Sequence, residues 1–305
     1  MKQVAFVFPG QGSQAVGMGR DLFENSPEAR QVFEEADDAL GFSLSSLCFN
    51  GPEEELRQTV NTQPAIMTVS VACLKAAQLN GCDITPGFLA GHSLGEYSAL
   101  VAGGALSFAD GIRLIKERAR LMQEAGDLRP GGMAAIIGLD LVSLEEVCQE
   151  TGTQIANLNS PEQTVISGTK QRLAWAMDLA KARGAKRVIR LGVSGAFHSY
   201  LMEPAVKGLA EAVSKCQFEN PRIPVVANAT AEPTSTAEAV KEGILRQICD
   251  CVRWQPSVEY MIDSGVSAFF EIGPGQVLTG LIKRINRDVE LININSLDSI
   301  TSVSL

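Results

Sequence analysis

Apolar residues along this chain fall into short continuous runs separated by longer segments of helical spacing, the pattern of strands alternating with helices. The first run, Val4 to Phe8, leads into a glycine-rich polar loop from Pro9 to Gln14. Helices are predicted near 27–40, 52–59 and 63–80. Gly51-Pro52 and Thr62-Gln63-Pro64 open the last two, since proline is tolerated in a first helical turn. A second apolar run, Phe88 to Ala90, passes through Gly91-His92-Ser93-Leu94-Gly95 into helical spacing up to Ala102, which predicts a strand, a sharp turn and a helix.

Phe108 to Ala125 is predicted as a long helix whose charges sort by wheel position, at about 100° per residue. Leu114, Ile115, Ala119, Leu121, Met122 and Ala125 share one arc, with Arg113, Lys116, Glu117, Arg120 and Glu124 opposite. Arg118 alone among the charges after Asp110 falls inside the apolar arc. Gly126 to Gly132 (GDLRPGG) reads as a linker.

From Met133 to Gly192 the runs follow the order β-α-β-β-α-β, that of a ferredoxin-like unit, with a turn at Asn157 to Pro161 between the middle strands. A loop, Val193 to Ser199, returns to the larger body. Beyond it come a helix to about Cys216, a strand Ile223 to Ala227, helices near 236–250 and 256–264, a strand Ala268 to Ile272, a helix near 277–286 and a strand Glu290 to Ile294. The tail LDSITSVSL has no packing pattern and is expected to be loose. The fold class expected is α/β. A hydrolase-like large catalytic subdomain, with a parallel sheet and a nucleophile elbow, is contributed by residues 1–128 and 196–305. A small ferredoxin-like subdomain is inserted at 129–195.

Composition narrows what this body can do. The 305 residues can bury a full core, and 45% hydrophobic with 20% charged residues is ordinary for a soluble chain. No apolar run is long enough for a membrane span, and the apolar part of the N-terminus is too short for a signal peptide. A net charge of −9 argues against nucleic acid as a partner. Seven scattered cysteines without a C-x-x-C pair suggest reduced thiols in a cytoplasm-like compartment. With two histidines in the chain, no zinc set is expected. After Gly10 and Gly12 the next glycine is Gly17, the wrong spacing for a dinucleotide fingerprint. The loop is instead expected to face a site at the sheet's C-terminal edge.

The G-x-S-x-G turn supplies the candidate chemistry. Glycines on both sides of Ser93 permit a strained bend that lifts the hydroxyl clear of the sheet, and the helix start beyond it favours a developing oxyanion. A serine nucleophile needs a base. His92 adjoins Ser93 and points elsewhere at such a bend, so His198, in its loop, is the better candidate. No distinctive aspartate stands where a hydrolase would orient that histidine. Arg118 demands an anion, either a ligand's or a core carboxylate's, and the two readings stand level.

Taken together, FPGQGSQ, TQPA at 62–65, GHSLGEYSAL, KERARLMQ, ANLNSPEQTVISG, GAFHS and FEIGPGQVLTGLIKR resemble the malonyl-CoA:acyl carrier protein transacylase family. The acyltransferase domains of polyketide and fatty acid synthases are similar too. The resemblance covers nearly the whole chain. It implies Ser93 as acyl-accepting nucleophile, His198 as general base and acid, and an oxyanion hole from Gln11 and the Leu94 N–H. It also implies that Arg118 holds the free carboxylate of malonate and that the Gln247 backbone carbonyl orients His198 in place of an acid. Gln63 and Asn159 would line the pocket, His92 would support the elbow, and Phe197 would favour malonyl over methylmalonyl. The implied reaction is a ping-pong transfer from malonyl-CoA to the phosphopantetheine thiol of an acyl carrier protein in fatty acid or polyketide synthesis. No metal or redox cofactor is implied, and a monomer in the cytoplasm, or an equivalent plastid stroma, is expected.

Overall fold

Two sheets organise the chain. The computed structural model describes residues 3–79 and 84–302; the predicted helix end at Asn80, Cys82 and the last three residues of the tail lie outside them. The strands are β1 (Gln3–Phe8), β2 (Phe88–Gly91), β3 (Gly131–Ile137), β4 (Gln154–Ser160), β5 (Gln163–Thr169), β6 (Arg187–Arg190), β7 (Val225–Val226), β8 (Pro233–Thr234), β9 (Val266–Ile272) and β10 (Glu290–Ile294). The larger sheet has the order β10-β9-β1-β2-β7-β8 and is parallel except for β8, which returns antiparallel on β7. The smaller has the order β4-β5-β3-β6, with every pairing antiparallel.

Side chains alternating along a strand let β1 bury both its faces. Ala5 and Val7 pack with Trp254 and Phe269 on one side of the large sheet, while Phe6 and Phe8 join Phe33, Ile66 and Phe270 on the other. In the small sheet Ala134 and Ile136 of β3 face its own two helices, Leu141–Thr151 and Lys170–Ala182. Met133 and Ala135 face the main core. The small sheet is stitched to the larger body just ahead of the helix Trp254–Asp263, where Leu158 N donates to Val252 O at 2.9 Å and Val252 N to Ala156 O at 2.8 Å.

Several boundaries differ from the sequence expectation, each for a local reason. The helix expected to open at Thr62-Gln63-Pro64 spans Thr59–Leu79, with Pro64 inside it, and a separate turn covers Glu53–Leu56. Proline leaves the carbonyl four residues back without its helical donor. Lys116 Nζ supplies one, reaching Val60 O at 3.1 Å. Residues 62–74 of this helix are buried without a break, which is why it lacks an amphipathic stripe.

GDLRPGG is not a linker: the helix runs Phe108–Leu128 and β3 begins at Gly131. Gly126 stays helical because it packs against the 194–195 backbone. The turn expected at Asn157 to Pro161 shrinks to two residues, because β4 stays paired with β5 through Leu158↔Thr164 and Ser160↔Gln163. The strand expected over 223–227 is only Val225–Val226. Short helices at Arg20–Asn25 and Leu44–Asn50 complete the first segment. The tail is not loose up to Ser302. It forms the helix Leu297–Ser302, capped at Leu297 N by Asp21 (2.8 Å), with Ile300 buried.

The six described cysteines are free thiols. Burial pushes the pKa of Cys48 up to about 12 and those of Cys249 and Cys251 to about 11, and it also raises Cys73, Cys148 and Cys216.

The helix after β2, Leu94–Ala102, crosses β1 so closely that a Cβ on Gly95 would lie 2.2 Å from Phe8 O. Gly95→Ala should therefore cost at least about 2 kcal/mol and lower the melting temperature by several degrees. Gly280→Ala should raise it slightly in the same thermal scan. That glycine sits in the helix Val277–Ile285 with nothing within 4 Å of a new Cβ, and alanine gains about 1 kcal/mol of helix propensity.

Candidate active site

Because the large sheet is parallel, the C-terminal ends of β1, β2, β7 and β9 gather at one edge, the usual ligand edge of such sheets. β1 runs out into Pro9-Gly10-Gln11 and β2 into the elbow at Ser93. The tight β7–β8 hairpin, closed by Ala227 N to Glu232 O at 2.9 Å, sets Asn228 beside that elbow. From the other side the small sheet brings β4, and the loop after β6 brings Phe197 and His198. A cleft of about 440 Å³ opens between them, lined by Gln11, Gln63, Ser93, Leu94, Asn159 and His198 among others. Its glycines are required: a Cβ on Gly91 would lie 2.0 Å from the backbone of Gly95, and one on Gly10 2.6 Å from His92 O.

Ser93 has φ 54° and His198 φ 56°, left-handed values that cost a non-glycine residue free energy and persist only when neighbours hold them. At Ser93 the holding groups are visible. Asn228 Oδ1 accepts from Ser93 N at 2.7 Å, Asn228 Nδ2 donates to Gly91 O at 2.7 Å, and Gln247 Nε2 donates to Ser93 O at 2.9 Å. Leu94, the first residue of its helix, has an N–H with no intrahelical acceptor, and both Leu94 and Gln11 line the cleft.

Ser93 Oγ lies 2.8 Å from His198 Nε2, and His198 Nδ1 lies 2.8 Å from Gln247 O. A carbonyl can only accept, so Nδ1 carries the hydrogen and Nε2 presents its lone pair to the serine hydroxyl. Gln247 ends the helix Ala237–Gln247, so its carbonyl is one that the helix itself leaves unpaired. Burial, and then the charge of Arg118, drive the His198 pKa down to about 3. The imidazole is neutral at physiological pH, the form that can take a proton from the hydroxyl.

Arg118 has no exposed surface, and no described carboxylate forms an ion pair with it. Its Nη1 donates to Gln63 Oε1 at 2.6 Å. Its Nη2 donates to Gln247 Oε1 at 2.8 Å and to Ser93 Oγ at 3.0 Å. Tyr97 lies with its ring centroid 5.4 Å from the guanidinium carbon. The core-carboxylate reading of Arg118 therefore fails: its acceptors are two neutral amides and the candidate nucleophile. The remaining expected residues sit around this centre. His92 Nε2 is 2.9 Å from Asn159 Oδ1, its ring 5.8 Å from that of Trp254, and Phe197 walls the cleft.

Sequence reasoning missed Glu96, Tyr97 and Asn228. Glu96 in the first helical turn reads as an ordinary match to the helix dipole, and a lone asparagine after a short strand carries no pattern. Among the described residues no group of three or more His, Cys, Asp or Glu side chains converges as a metal site.

Known proteins resemble this arrangement along their whole length. Residues 5–299 match the family described as acyl transferase domain. The malonyl CoA-acyl carrier protein transacylase of Bacillus subtilis is 47% identical, covering 98% of this chain and 96% of its own. That of Escherichia coli K12 is 46% identical over 93% of each. Among solved structures, an acyl carrier protein S-malonyltransferase from Vibrio cholerae superposes with a TM-score of 0.96 at 42% identity, covering 99% of this chain and 100% of its own. A malonyl-transacylase solved with its type II PKS acyl-carrier protein superposes with 0.95 at 44%, over 98% and 97%. With a serine, a neutral histidine and a buried arginine meeting at the edge of a parallel sheet, and with these relatives spanning the chain, this protein belongs to the acyl transferase family.

Proposed function

We propose that this enzyme transfers the malonyl group of malonyl-CoA to the phosphopantetheine thiol of an acyl carrier protein, through a malonyl ester of Ser93, in fatty acid or polyketide synthesis. The observation that carries this reading is Arg118, a buried guanidinium without a carboxylate partner, 3.0 Å from Ser93 Oγ. A malonyl thioester brings the missing carboxylate. It would displace the neutral Gln63 oxygen from the guanidinium, replacing a hydrogen bond to an uncharged amide with a bidentate pairing of opposite charges. An acetyl group has nothing to offer there. The names of the relatives, and the solved complex of one similar transacylase with its carrier protein, support the choice of donor and acceptor.

In the first half of the cycle His198 Nε2 takes the Ser93 proton as Oγ attacks the thioester carbonyl. The tetrahedral oxyanion is received by the Leu94 N–H and Gln11 at the start of the elbow helix. Collapse expels coenzyme A, which leaves with the proton held by His198. In the second half the carrier's thiol gives its proton to His198 and attacks the ester, and Ser93 is regenerated. The acyl group is stored on serine, so the cycle calls for no metal or redox group. Phe197, at the wall of the cleft, would limit branching at the malonyl α-carbon. The two strand orders support reading the body as a hydrolase-like large subdomain with an inserted ferredoxin-like unit.

Incubation with radiolabelled malonyl-CoA should leave a stable label on the protein that a carrier thiol releases. Ser93→Ala should take up none. Rapid appearance of free malonate with no trapped ester would instead make the chain a hydrolase. Arg118→Ala should lower kcat/KM for malonyl transfer on the order of a hundredfold or more, the scale of removing one partner of a buried charge pair. Acetyl transfer, measured on the same preparation, should survive or rise. Equal losses for both substrates would reduce Arg118 to a structural role.

A further inference from the structure

Glu96 is 3% exposed in the first turn of the elbow helix, and no described cation forms an ion pair with it. A carboxylate buried in this way needs compensation. It receives two N–H donors on one oxygen, Gln247 Nε2 at 2.7 Å and Asn228 N at 3.1 Å. Gln247 gives its other amide hydrogen to Ser93 O at 2.9 Å, while its Oε1 accepts from Arg118 Nη2 at 2.8 Å. The Gln247 carboxamide thus stands between a cation and an anion, oxygen toward one and nitrogen toward the other, the orientation that both charges favour. The same residue's backbone carbonyl holds His198. Asn228, the second donor to Glu96, holds Ser93 N. Ser93, His198 and Arg118 are therefore each held by a residue that is itself a hydrogen-bond partner of this one carboxylate.

We propose that Glu96 is a positioning residue whose ionised carboxylate, acting through Gln247 and Asn228, keeps Ser93, His198 and Arg118 in reactive register, so that acylation of Ser93 weakens as Glu96 takes up a proton. This rests on the transfer reaction proposed above. Protonation would turn two charge-assisted hydrogen bonds into neutral ones, which are about half as strong. Burial pushes the carboxyl pKa up to about 7, with the Gln247 and Asn228 hydrogen bonds and the Arg118 charge pulling the other way.

The other charged or titratable groups around it are Tyr97 on its own helix, Arg118 on the helix Phe108–Leu128, His198 across Gln247 and His92 at the elbow. Tyr97 is raised to about 12, His198 lowered to about 3 and His92 lowered by burial, while Arg118 stays charged. Of this set, Glu96 is the group that burial moves up to about 7, while both histidines are moved down. A pH inflection there, which a serine–histidine pair would ordinarily assign to the imidazole, belongs to the carboxyl.

The test uses the first half-reaction alone, malonyl-CoA with the whole protein, following coenzyme A release in a single turnover so that no carrier thiol titrates. The wild-type acylation rate should rise about tenfold with pH, through an inflection near pH 7. Glu96→Gln keeps an acceptor oxygen and removes the charge. Its rate should be flat from about one unit below neutrality to about one unit above, at the wild type's acid-side level. A Glu96→Gln enzyme that keeps the inflection, or a wild type without one, would overturn the proposal. Should the variant fail to fold, infrared spectroscopy of the wild type decides the matter. A buried carboxylic acid band growing as pH falls through about 7, in step with the loss of rate, supports it; no such band, or one titrating apart from the rate, overturns it. A wild type that forms no malonyl-serine at all would instead remove the transfer reaction, a failure distinct from these.

Discussion

The site is built around one costly condition, a guanidinium withheld from water without a carboxylate beside it. Two amide oxygens and an aromatic face blunt the desolvation of Arg118 without cancelling its charge. That residual field has consequences on both sides. It lies against the Ser93 oxygen, where negative charge would develop, and it adds to burial in keeping His198 neutral. Beside it stands a departure from the usual serine triad. A helix-terminal carbonyl orients the ring with no formal charge, where the usual triad has an aspartate.

The backbone around this centre is strained where it matters, and the strain is held by side chains from distant parts of the chain. Ser93 and His198 both sit at positive φ. Asn228 reaches the elbow from the β7–β8 hairpin and Gln247 from the end of another helix, so the register of the reacting atoms depends on strands and helices far apart in sequence. The small sheet is tied to the same framework by the β4 bridge to Val252 and by the contact of His92 with Asn159. Its position against the cleft is set by hydrogen bonds as well as by packing.

Much of this could be read in the sequence, because the features concerned are local. The elbow shows itself by glycine spacing, the smaller sheet by its order of apolar runs, and Arg118 by one cation falling on the wrong face of an otherwise regular wheel. His198 stands out because histidine is scarce in the chain. The misreadings have a common cause: tertiary partners supplied what local rules said was missing. Lys116 replaces the donor that Pro64 lacks, the 194–195 backbone covers Gly126, pairing with β5 prolongs β4 through Ser160, and Asp21 caps the helix at the C-terminal tail. Glu96 and Asn228 stayed hidden for the complementary reason. Their importance lies in what they touch across more than a hundred residues of chain, and no periodicity encodes that.

The cysteines bear on the transfer reaction proposed above. Sulfur attacks an acyl group as thiolate rather than as thiol, and exchanges with disulfides in the same form. Burial holds the six described thiols protonated at neutral pH. With donor and acceptor both carried on sulfur, as proposed above, this is chemoselectivity by exclusion: the six described thiols, intrinsically better nucleophiles than an alcohol, are silenced in favour of the Ser93 hydroxyl.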